Sequence, residues 1–265
     1  MTVSYYRIQE KPLMKQYRKN YQLKNAAKDR LDGRYGGAVL LTLLQLLITG
    51  AVSMLINRAS ATAQASVYAG SGSGTALGLT ALAFDLLLTG ANIICAVLNA
   101  GAALYFLNLA CGQPLSVSDL FYGFRQDSRK ALTIAAAQVL CRVVPLLPGQ
   151  YLLQHALNTG SALWYLVAAA ALLAGLCIYV PVSLGLFLSF YLMFDFPEYS
   201  GKETLALSWR IMKGQRSRLF WLQLSFLPLI LLGILSFGIG FLWLEPYMQL
   251  TYTQFFLNLM NPDCP

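Results

Sequence analysis

The sequence predicts an all-α, polytopic membrane helix bundle, and three observations predict it. Charged residues make up 11% of the 265 positions and hydrophobic ones 57%, whereas a soluble globular domain carries about 25% charged residues. Five long apolar stretches hold at most one charge each, and each is long enough as a helix to cross a ~30 Å hydrocarbon core. Seventeen of the nineteen Lys and Arg fall in three segments between those stretches. The net charge of +8 therefore points to anionic lipid head groups rather than to nucleic acid, whose binders spread cations over a soluble face.

The first span is expected over residues 35–57, with no charge. Residues 58–75, "RASATAQASVYAGSGSGT", have a flexible linker composition and read as a short external loop. Its "GSGSG" is no phosphate cradle, because no strand precedes it and no Lys-Ser/Thr pair follows. The second span, 76–110, is too long for one straight crossing, so a break is expected near Thr89 and Gly90. A third span covers 131–153, interrupted by Arg142 and bent by Pro145 and Pro148. A fourth covers 162–194 and is expected to kink at Pro181.

The last stretch, 219–260, would be about 63 Å long as a single helix and must fold back on itself. "SFGIG" at 236–240 supplies the glycines of a tight turn, giving spans 219–235 and 241–260. About six transmembrane helices result, preceded by a basic arm at 1–34 and followed by a short tail at 261–265. The arm does not have the layout of a cleavable signal peptide.

By the positive-inside rule the three basic segments (1–34, 111–130 and 195–218) face the cytoplasm. Six crossings place both termini there. Trp221 then falls at the inner interface, and Trp164 and Trp243 at the outer one, where indole prefers to lie. Residues 200–214 carry a capping box (Ser200, Glu203), apolar Leu205, Trp209 and Met212 at helical spacing, cations opposite them, and Gly214 as a stop. They form a short amphipathic helix on the cytoplasmic surface, with Arg210, Lys213, Arg216 and Arg218 as candidate contacts to anionic lipid or to a protein partner.

Similar preludes precede the first and third spans: Leu23, Ala27 and Leu31 before Gly33, and Leu120 and Phe121 before Gly123, with Ser116 or Ser118 as cap. Gly33, Gly123 and Gly214 lie 90 and 91 positions apart. That spacing raises a threefold repeat of interfacial helix, stop and helical hairpin, against the plainer reading that any six-span chain has stops at such intervals.

"ALSWRIMKG", "LFWLQLSF" and "LLGILSFGIGFLWLEPY" resemble a family of bacterial, mostly Gram-positive, multi-pass membrane proteins, designated domain of unknown function 975. Its pattern includes a basic N-terminal helix, a "DLF-x-GF" segment, an Asn or Asp before Pro, an "LMKG"-like stop and a "GIG-x-LW-x-x-PY" ending. Here these correspond to the basic arm, 119–124, Asp195 with Pro197, 211–214 and 238–247. The stretch 145–180 is longer than that pattern leads one to expect, and the tail is reduced to "NPDCP". The resemblance implies the bacterial cytoplasmic membrane and supplies no reaction.

Ionisable groups within a bilayer cost at least about 2.5–3.5 kcal/mol, so each requires a reason. Asp85, Arg142 and Glu245 all fall toward the outer halves of their spans and form a candidate intramembrane polar cluster. One reading is a site where Arg142 receives an anionic group. The other is a structural Asp85–Arg142 ion pair with Glu245 in interfacial water, and isolated charges most often act as such glue. His155, in the expected outer loop, has no partner for metal or base chemistry, and the five cysteines form neither a disulfide framework nor a metal pattern and read as small core residues. No catalytic motif or cofactor site is visible. The expectation is therefore a non-enzymatic accessory or interaction protein, the alternative being a small-solute or lipid transporter with a polar site in the outer half of the bundle.

Overall fold

The computed structural model describes residues 17–69, 74–125 and 127–260. Most of the basic arm, most of the "GSGSG" stretch and the 261–265 tail with Cys264 lie outside the described residues. Every regular element described is helical: α1 (Asn20–Leu31), α2 (Tyr35–Ala69), α3 (Gly74–Ala96), α4 (Leu98–Cys111), a 3-10 turn η1 (Val117–Phe121), α5 (Tyr122–Arg125), α6 (Ser128–Thr159), α7 (Ala162–Leu186), α8 (Ser189–Asp195), α9 (Gly201–Ile211), α10 (Arg216–Leu224), α11 (Leu227–Leu235) and α12 (Phe241–Met260).

Several boundaries differ from expectation, each for a local physical reason. The anticipated loop at 58–75 is helical as far as Ala69, because "RASATAQASVYA" is rich in alanine, the best helix former. In the second span Thr89 and Gly90 are continuous helix, with the Thr89 hydroxyl bonded back to the Asp85 carbonyl at 2.8 Å. The interruption falls at Val97, where the following segment crosses closely: a Cβ on Gly123 would lie 2.8 Å from Val97 Cγ1, and one on Gly101 would collide with the carbonyls of Asp119 and Leu120. α6 runs through Pro145 and Pro148, and α7 through Pro181. The break in the fourth span comes later, at Phe187 and Leu188. His155 consequently sits on α6 rather than in a loop, its ring 4.6 Å edge-on from Trp164 across the α6–α7 turn.

The fifth span is divided at Ser225 and Phe226. Pro228, within the first turn of α11, has no N–H to give to Leu224. Lys24 of α1 reaches this break, donating to the Ser225 carbonyl at 2.9 Å with its ammonium 4.1 Å from the Phe226 ring centroid. Burial, with Lys28 adding to it, holds that ammonium below the ordinary lysine range. The turn at 236–240 forms as expected, with left-handed Phe237 and Gly238 (φ 54° and 87°) and the Gly240 N–H donating to Ser236 Oγ at 2.9 Å.

Five helical segments are long and apolar enough to cross a membrane: Tyr35–Ala63, Ala83–Cys111, Ser128–Thr159, Ala162–Asp195 and Arg216–Leu235. The expected sixth, α12, has the length, about 30 Å, but not the apolarity. Twelve of its twenty residues are buried, among them Thr251, Thr253, Gln254 and Asn258. A helix enclosed by others meets side chains rather than lipid, so its polar residues find partners inside the protein. Thr253, for example, bonds both the Gln249 carbonyl (3.0 Å) and the Tyr191 hydroxyl (3.3 Å).

Three hairpins organise the bundle: α2 with α3, α6 with α7, and α11 with α12. Each is preceded by a short helical element, and each short element packs on the end of the preceding hairpin. η1 lies on α4, α9 on α8 and α6, and α1 on α12, which closes the order into a ring. Left-handed residues stop the preludes at Gly33 and beyond α9 at Gly214, but Gly123 is helical, and Asp127 (φ 53°) takes the left-handed position instead. The capping box of α9 is complete: the Ser200 N–H donates to Glu203 Oε2 at 2.7 Å, and the Glu203 N–H to Ser200 Oγ at 3.4 Å. That backbone bond is the main reason the Glu203 carboxyl lies below the usual carboxylate range.

Candidate functional site

A cavity of about 690 Å³ runs between α2, α3, α4, α6, α7, α8 and α12. Its polar lining comes in stripes. α3 and α4 contribute Asp85, Thr89, Asn92 and Asn99, spaced by four, three and seven residues, which is one helix face. α6 contributes Gln138, Arg142 and Gln150, α7 Tyr179 and Ser183, and α12 Gln249. Apolar residues such as Leu88, Val139, Val143 and Leu146 fill the intervals. The volume falls within the range of ordinary small-molecule sites.

The lining mixes exposed and buried residues, with Asn92 and Asn99 exposed along its length. At one end Asp85, Arg142 and Gln150 are exposed, and at the other Ala102, Ala103, Phe190 and Tyr191 are buried. Between Gln138 and Gln150 it follows α6 for about 18 Å. An aromatic layer closes the buried end: Tyr191 stacks on Phe256 (centroids 5.1 Å apart), and Phe187 meets Tyr252 edge-on at 5.2 Å. These rings bridge α7 and α8 to α12, and the Thr253–Tyr191 hydrogen bond fixes the layer.

Asp85 and Arg142 line the same cavity, yet no ion pair joins them. The Asp85 carboxylate accepts the Tyr151 hydroxyl at 3.1 Å. Arg142 makes no hydrogen bond or ion pair with the described residues. Pro145 lacks the N–H that would bond the Cys141 carbonyl. Glu245 is half-buried on α12 and does not line the cavity; it accepts from Gln249, which does, at 2.9 Å. Two amides are committed to structure: Gln45 donates to Asn99 Oδ1 at 2.7 Å, and Gln138 to the Leu186 carbonyl at 3.2 Å.

The four cations expected at the head groups divide evenly. Arg210 and Lys213 are exposed. Arg216 stacks on Trp209, 3.8 Å from the ring centroid, in a niche that exists because residue 185 is glycine. Arg218 is held internally, donating to the Arg18 carbonyl and to Asn258 Oδ1, both at 2.7 Å, between the rings of Tyr17 and Phe255. The four described cysteines are not core residues: Cys111 and Cys177 are exposed, and half-buried Cys95 and Cys141 line the cavity. Among the described residues no three of His, Cys, Asp and Glu come together to hold a metal ion.

Five apolar segments long enough to cross a bilayer, with a polar, largely buried helix against α2, α4 and α11, define a polytopic helical membrane protein. Residues 150–262, the end of α6 through α12, match the model of the family described as protein of unknown function (DUF975), the family whose motifs the sequence resembles. No curated protein and no solved structure matches the chain.

Proposed function

We propose that this chain is a non-enzymatic protein of the bacterial cytoplasmic membrane that takes a small solute or a lipid head group into the cavity between α3, α6 and α12. The observation that carries this reading is Arg142, a cation lining a cavity of about 690 Å³ with no acceptor among the described residues. A charge at that depth is costly unless something offsets it. The ion pair that would reduce it to structural glue is not formed, because Asp85 is engaged by Tyr151.

In this reading the six long elements all cross, α12 as a protected central helix, and both termini lie on the cytoplasmic side with the basic segments. The exposed end of the cavity then faces outward and the aromatic layer lies toward the cytoplasm. The accessory role keeps support from exposed Arg210 and Lys213, which suit anionic lipid at the inner surface, whereas Arg216 and Arg218 serve packing.

Native mass spectrometry of protein extracted with its lipids separates the two roles. A bound species lost on Asn92→Phe, which fills the cavity, supports the cavity reading. Bound species unaffected by that change but lost on Arg210→Gln/Lys213→Gln favour the accessory role instead.

A further inference from the structure

We infer that the cavity selects an anion, with Arg142 as its recognition residue and the Asp85–Tyr151 pair as a separate element further along α6. The inference deepens the cavity reading and depends on it. Tyr151 lies nine residues beyond Arg142 on the same helix, about 13 Å further along the axis. Asp85, the other charged residue lining the cavity, is bonded by Tyr151 and forms no ion pair with the guanidinium. Two further carboxylates stand on the surrounding helices outside the lining: Glu245, which accepts from Gln249, and Asp195 at the end of α8.

A planar, permanently charged guanidinium in a half-open, partly apolar cleft suits bidentate recognition of carboxylate or phosphate. Low-dielectric walls focus its field and raise the local concentration of anions. The shared chemistry is an oxyanion, either on a free solute or on a lipid head group.

Cys141, adjacent to Arg142, and Cys95 give a direct readout, since both thiols line the cavity. The full chain with Cys111, Cys177 and Cys264 replaced by Ser would be reconstituted in vesicles and treated with the sulfonatoethyl and trimethylammonioethyl methanethiosulfonates. Each rate is normalised to that reagent's rate with free 2-mercaptoethanol. The anionic reagent should be favoured roughly tenfold at low salt, as expected for a focused field. Arg142→Gln should abolish that preference, Arg142→Lys should retain most of it, and Asp85→Asn should increase it.

Protection by inorganic phosphate would identify a free anion, and protection by short-chain phosphatidylglycerol but not phosphatidylcholine a lipid head group. Protection by neither overturns the assignment of a ligand site. Equal normalised rates, or a preference unchanged by Arg142→Gln, overturn anion selectivity while leaving the cavity reading standing. If even a small neutral thiol reagent reaches neither cysteine, the cavity reading fails as well.

Discussion

α2 and α12 are both single helices long enough to span a bilayer, and they are opposites in every other respect. In the most apolar part of the first span only 11% of residues are buried, and Leu46, Leu47, Met54 and Leu55 all point away from the protein. α12 carries Gln249, Thr251, Thr253, Gln254 and Asn258 and is the most enclosed long helix among those described. Apolarity along the chain therefore measures how much of a helix the lipid touches, not how deeply it sits in the protein. The polar helix occupies the centre because lipid would not solvate it.

The contrast can be broken most severely at the aromatic layer. Phe256→Ala removes a fully buried ring stacked on Tyr191 and should cost about 3 kcal/mol, whereas Leu47→Ala on α2 (58% exposed) should cost less than about 0.5 kcal/mol. Unfolding in mixed micelles, monitored by circular dichroism, would measure both. Equal losses would refute the division into central and lipid-facing helices.

Glycines extend the same test. Gly101→Ala drives a methyl group into the backbone of η1 and should destabilise by about 2 kcal/mol. Gly50→Ala on α2, with no atom within 4 Å of the added carbon, should be neutral or stabilising by up to about 1 kcal/mol. Thermal denaturation of the pair in one detergent distinguishes these outcomes.

Asn258→Ala should cost about 1.5 kcal/mol, since it leaves Arg218 without its side-chain acceptor. The loss should shrink sharply in an Arg218→Met background, and a double-mutant cycle would measure that coupling. The smallest effect belongs to the exposed cap of α9. Because the folded Glu203 carboxyl titrates below its ordinary 4.5, its contribution is complete above that value and is lost as pH falls through the lower, folded pKa. Hydrogen exchange in the first turn of α9, corrected for intrinsic pH dependence, should therefore accelerate on acidification in the native chain and change less in Glu203→Gln.

Much of this architecture was legible in residue pattern alone. The charge-free run after Tyr35, the Ser200–Glu203 box and the "SFGIG" turn each encode their structure locally, through length, capping and glycine geometry. Helix breaks were not legible, because tertiary contact sets them. Thr89–Gly90 and Pro181 look like breaking points but continue as helix, while Val97 yields where α5 crosses it. The cavity was half visible: Asp85 and Arg142 stood out as intramembrane charges, and the four-, three- and seven-residue spacing of Asp85, Thr89, Asn92 and Asn99 was a further signal in the sequence. Tyr151 as the partner of Asp85 depends on how α3 and α6 lie against each other, which no local pattern records.

The ring of short helices carries a consequence for biogenesis. α1 emerges from the ribosome ahead of the membrane-spanning elements described, yet it docks on α12, with the Arg18 N–H bonded to Asn258 across 240 positions of chain. During synthesis its apolar face, Leu23, Ala27 and Leu31, must wait at the membrane surface while the intervening helices are threaded. Of the helices described, the last to be made is thus the one that completes the core, and a ribosome stalled before α12 would leave the docking site of α1 empty.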